Sequence, residues 1–132
     1  MIVPEKVRAW WSAMQGPRTL FELQWDDAGL ALVPVPSKGE VPLRLAWNEI
    51  SEAYTYKRDC VTVDQIRLIL GDDTHQTWLE VSEDDVGFRA LIAALPHHLP
   101  GFPAAYEWWD RVAQPAFEPQ WTQIYRRTVA PV

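Results

Sequence analysis

Two adjacent histidines, His97-His98, are the residues best able to hold a metal or move a proton. Neighbouring positions point apart on any regular backbone, and neither a His-x-x-x-His spacing nor a Cys pair accompanies them, so no metal site is expected. Cys60, the lone cysteine, has Arg58 nearby to favour its thiolate, yet it lacks the Cys-Gly and Gln-Ala-Cys contexts of cysteine hydrolases. It reads as an inert thiol. Carboxylates pair at Asp26-Asp27, Asp72-Asp73 and Asp84-Asp85. General acid and base work needs two such groups in different environments of one cleft, whereas these fall in turns and at a helix start. No calcium-loop spacing, Gly-rich phosphate loop or Gly-x-Ser-x-Gly elbow occurs. An active site would have to be assembled from the distant His97, His98 and Asp59. The expectation is a non-enzymatic protein with no catalytic residue, metal or cofactor.

Tyr54, Tyr56, Lys57 and Arg58 form the most suggestive recognition element. Aromatic and basic groups on one strand can stack on and neutralise an acidic partner, or pair with the protein's own carboxylates. Near the carboxy end, Trp121, Tyr125 and Arg126-Arg127 offer a second such surface. Tyr54, Tyr56, Lys57, Arg58, Trp121, Tyr125 and Arg126 are therefore the candidate protein-contact residues.

The elements that must position these groups are legible from hydrophobic period. Apolar residues alternate over 19–25, 43–47, 50–58, 64–70 and 76–81, and the turn after Trp25 leads into a further segment over 30–35, which predicts six strands. Asp26-Asp27-Ala28-Gly29 and Gly71-Asp72-Asp73-Thr74 supply hairpin turns, and the stretch 34–42, with three prolines and a glycine, is a loop or irregular edge. Ser82 is an N-cap candidate with Asp85 three residues on. Phe88, Leu91, Ile92 and Leu95 then give a helix expected to stop before Pro96. Val7, Trp10, Trp11 and Met14, and again Ala105, Trp108, Trp109 and Val112, repeat the same template in shorter helices, with each Trp pair read as core packing. The carboxy-terminal stretch from Pro115 is aromatic and proline-punctuated, with Phe117, Trp121 and Tyr125 spaced along a surface.

These features predict one mainly β, α+β domain over 1–132: a β-rich core with its helix over 18–95, and a helical and extended segment over 96–132. Eight Trp in 132 residues exceed what a core of this size needs, so some rings belong at its rim or on a contact surface. A net charge of −6 excludes bulk attraction to nucleic acid or an anionic membrane face, and favours a basic partner. The single cysteine suits a reducing compartment, the amino terminus lacks a signal-peptide layout, and no apolar run approaches a membrane span. A cytoplasmic location without membrane insertion is expected.

Leu43-Arg44-Leu45-Ala46-Trp47-Asn48-Glu49-Ile50, followed by Ala53-Tyr54, is similar to the Trp-x-x-Ile strand-to-strand turn of pleckstrin-homology-like and GRAM-type domains of bacteria. The order of strands followed by an amphipathic helix resembles that fold too, over about 19–95. The resemblance implies a bent antiparallel sheet or open barrel of six to seven strands, capped by the helix, on a non-catalytic scaffold that binds phosphoinositides, peptides or proteins. Lipid-binding members carry Lys and Arg on the first hairpin. This chain has Asp26-Asp27 there, so phosphoinositide binding is not expected and protein contacts are. The leading expectation is a protein-binding module acting through a strand edge or its aromatic carboxy-terminal segment, with self-association as the simplest form. The alternative is an acidic inhibitor of the bacterial immunity type, neutralising a basic toxin enzyme.

Overall fold

The computed structural model describes residues 20–36, 39–59, 64–72, 77–113 and 121–127. Two antiparallel sheets carry the fold. Strands β1 (Leu20–Trp25), β2 (Gly29–Val35) and β3 (Leu43–Ala46) form a three-stranded sheet in that order. A 3-10 turn (Trp47–Glu49) leads to β4 (Glu52–Asp59), β5 (Asp64–Asp72) and β6 (Thr77–Ser82). Helices α1 (Phe88–His98) and α2 (Ala105–Ala113) follow, and β7 (Thr122–Arg126) returns to complete a sheet ordered β6-β5-β4-β7. The fold is thus mainly β, as the periodicity predicts, with two helices among the described residues, and the sheets do not close on each other. The predicted helix over 4–14 with Trp10 and Trp11, and also Cys60 and Phe117, lie outside the described residues.

The core forms between the sheets and the helices because the strands alternate. Leu23 of β1, Leu30 and Leu32 of β2, Leu45 of β3, and Ile66, Leu68 and Leu70 of β5 turn inward. Phe88, Leu91, Ile92 and Leu95, at the predicted i, i+3, i+4, i+7 positions, meet them from α1, and Trp108 and Val112 do so from α2. Trp109 packs on Phe88 with ring centroids 6.3 Å apart, and the Arg89 guanidinium lies 4.1 Å over its indole.

Three local expectations are corrected. Ser82 closes β6 instead of capping the helix, which begins after Gly87 in a left-handed conformation (φ 92°). The competing pull comes from β1: Val86 forms a parallel bridge with Glu22, accepting from the Leu23 N–H and donating to Phe21 O, both at 2.9 Å. Buried Asp85 ties the same junction, accepting from Phe21 N at 3.0 Å and Ser82 N at 2.8 Å. Helix α1 also runs through Pro96 to His98. The proline has no N–H to give the ladder, and past it Leu99 N donates to Leu95 O at 2.8 Å, with both leucines buried. The third correction is β7 itself. Its residues were expected along a surface, yet Tyr125 is buried in the core opposite Ala53.

Candidate functional site

Four of the predicted contact residues, Tyr54, Tyr56, Lys57 and Tyr125, divide between two buried faces of the four-stranded sheet. Tyr54 and Tyr56 do share a side, as alternation requires, but with Ile69 and Trp78 they form a second apolar cluster. Trp121 stacks on Tyr56, ring centroids 4.4 Å apart and 11° from parallel. The Tyr56 hydroxyl donates to the Glu80 carboxylate, which lies 3.5 Å from the buried Arg67 guanidinium. Lys57 points to the opposite face, 2% exposed, and donates from Nζ to Ala113 O at 3.0 Å, placing a cation at the carboxy end of α2. Tyr125 is buried against Phe102, where loss of hydration raises its phenol above the usual 10.0 and Arg127 pulls it back down. Tyr54, Tyr56, Lys57 and Tyr125 are therefore interior groups, a correction to their expected role at a free surface. Trp121 is half-buried, Arg126 is exposed, and Arg58 lies on β4 opposite Gln65 with its side chain outside the described residues.

The histidines do not assemble a site with Asp59. His98 stacks on Trp47 at 4.5 Å and 7°, with exposed His97 at its edge. Asp59 closes β4 at the end remote from Trp47, roughly 23 Å along the strand at about 3.3 Å per residue. Among the described residues, no group of three or more His, Cys, Asp or Glu side chains gathers as metal donors.

A different surface stands out: the outward face of the three-stranded sheet. Gly29, Ala31, Val33 and Val35 alternate with the inward residues of β2, so this strand is apolar on both sides. Register places Gln24, Ala31 and Arg44 directly abreast across the three strands. A small residue between two long ones makes a cleft, about 420 Å3 in volume, reaching from Gln24 and Asp26 on one side to Arg44 and Glu49 on the other. Its floor depends on Gly29. A Cβ there would lie 2.5 Å from Leu45 O and 2.8 Å from the Ala46 Cα, so β2 and β3 approach this closely only with glycine.

The turns around the cleft are held by their own side chains. Asp26 Oδ1 accepts from Ala28 N at 2.8 Å and Gly29 N at 3.1 Å, fixing the predicted hairpin. Trp47 of the Trp-x-x-Ile segment donates from Nε1 to Asp26 O at 2.7 Å, and Ile50 N donates to Trp47 O at 3.1 Å, joining the β3 corner to that hairpin. Beyond the cleft, Leu20 and Val35 sit opposite each other in register and are 47% and 41% exposed; Val41 and Leu43 at the start of β3 are 83% and 48% exposed.

The edges of this sheet are less open than the expected strand-edge route requires. Asp85 and Val86 cover β1. At β3, Trp47 N donates to Ala28 O, a phase that turns the backbone groups of Arg44 and Ala46 away from β2. Ala46 N already donates to Glu49 Oε1 at 2.9 Å, and Pro42 has no N–H to offer.

Sequence reasoning missed this face, although β2 carried its signal. A strand of an antiparallel sheet with one solvated face should alternate, and Gly29-Leu-Ala-Leu-Val-Pro-Val35 does not. No family model, curated protein or solved structure matches this chain. Among the described residues, no helix is long and apolar enough to cross a membrane.

Proposed function

We propose that the protein is a non-enzymatic binding module whose contact surface is the outward face of the three-stranded sheet. The observation carrying this reading is the unbroken apolar composition of β2, with Val33 half-exposed, Val35 exposed, and Leu20 exposed beside them. Exposed apolar side chains grouped on one face lose free energy to water that a partner's surface recovers, and a polar rim then sets specificity. The cleft adds a recess into which a partner side chain can insert. Six strands followed by a packed helix are in keeping with a pleckstrin-homology-like arrangement, although a second helix and β7 come after it, and the protein-binding members of that class are the relevant analogy because Asp26 and Asp27 stand where a phosphate would approach.

The test compares the wild-type chain with Val33→Lys, a substitution that faces Glu22 across the β1–β2 pair and so suits the fold. Solution mass is measured first, then proteins retained on each form from a lysate of the source cells. The expected result is a stoichiometric companion, either a second copy or another protein, that is kept by the wild type and lost by the variant at unchanged melting temperature. A wild-type chain that stays alone, or a variant that keeps the companion, overturns the reading.

A further inference from the structure

We infer that the partner presents a basic surface to this face, an extended segment of protein bearing Lys or Arg; this rests on the contact face proposed above. The apolar stripe of Ala31, Val33 and Val35 is bordered by Glu22 on β1, Asp26 and Asp27 at the hairpin, Glu40 before β3, and Glu49 after it, all exposed. Arg44 is the cation among them, and it makes no ion pair among the described residues. Among the described residues, the other exposed arginines are placed elsewhere: Arg89 on α1 over Trp109, Arg111 on α2, and Arg126 on β7, while Arg127 donates to Asn48 O at 3.0 Å. Among the described residues, five exposed carboxylates thus border this apolar face against the single cation of Arg44.

That arrangement matches the physics of a Lys or Arg side chain. Its aliphatic stem lies against small apolar groups such as Ala31 and Ala46, and its charged head reaches the rim. Arg44 on the opposite wall repels a cation at its own end, so the basic head is directed toward Asp26 and the hairpin. A net charge of −6 speeds the encounter with any basic partner.

Capped hexa-arginine and hexa-glutamate peptides are titrated separately into the full isotope-labelled chain, and amide shifts are read by nuclear magnetic resonance. Hexa-arginine is expected to move Gln24, Ala31, Val33 and Arg44, with an affinity that weakens as salt is added. The double variant Asp27→Asn/Glu49→Gln, which keeps the acceptor for Ala46 N, is expected to weaken it by roughly fivefold or more. Shifts spread evenly to Asp84, Glu107 and Asp110, or no shift at the sheet face, overturn the inference. Hexa-glutamate binding more tightly around Arg44 overturns the basic partner yet leaves the face as a contact surface, whereas a lone wild-type chain in the Val33→Lys comparison removes the face itself.

Discussion

Replacing Asp85 tests what holds the site-bearing sheet to the rest of the molecule. Its carboxylate is 4% exposed and accepts from two backbone donors, Phe21 N at 3.0 Å and Ser82 N at 2.8 Å, so it ties β1 to the end of β6. Each hydrogen bond to a charged group contributes about 1.5–3 kcal/mol, and burial makes a lost acceptor costly. Asp85→Ala removes both and should cost about 4 kcal/mol. With a urea slope of about 2 kcal/mol/M, that lowers the unfolding midpoint by about 2 M. Asp85→Asn keeps one acceptor oxygen, but its amide nitrogen then faces an N–H, so roughly half the loss should persist. The assay is urea unfolding followed by tryptophan fluorescence and by far-ultraviolet circular dichroism, with coincident curves required. An Asp85→Ala midpoint within about 0.3 M of wild type would refute the reasoning.

Gly29→Ala should cost about 1–3 kcal/mol, because the added methyl meets Leu45 O and the Ala46 Cα and must push β3 away; a melting temperature unchanged from wild type would contradict this. Tyr56→Phe removes the hydroxyl bond to Glu80 beside buried Arg67 and should lower stability by about 2 kcal/mol in the same urea assay, an unaltered midpoint being the contrary result. Tyr125→Phe should be neutral or slightly stabilising near pH 7, since the buried hydroxyl has no hydrogen-bond partner among the described residues. The alkaline behaviour follows from the raised phenol: the fold holds this proton more tightly than the unfolded chain does. The contribution is intact below the ordinary value of 10.0 and is lost as pH rises through the higher folded value. The wild type should therefore lose stability relative to Tyr125→Phe above about pH 10, and parallel pH profiles would exclude that linkage.

Local period made α1 and the β1–β2 hairpin readable, because Phe88, Leu91, Ile92 and Leu95 and the Asp26 turn follow rules that act within a few residues. The start of α1 was not readable for the opposite reason. Asp85 answers a backbone donor 64 positions away on β1, which no local pattern records. Tyr54 and Tyr56 were assigned correctly to one side of β4, but alternation says which residues share a face and not whether that face is covered. The cleft depends on Gln24, Ala31 and Arg44 lying abreast. That register crosses the proline-rich stretch between β2 and β3, so the sequence shows the residues without their alignment. Strand β7 is short, and Trp121 just before it and Tyr125 within it fall four apart, a spacing that suits a line along a surface better than a strand.

The proposed contact surface is tested most directly by placing a photo-crosslinking amino acid at Val33 in one sample and at Tyr106 of α2, 85% exposed, in another, then irradiating source cells that express each. A single discrete adduct from Val33 that is absent from Tyr106 is the result expected of a binding face on the three-stranded sheet. Adducts equally abundant at both positions, or none at Val33, would contradict it.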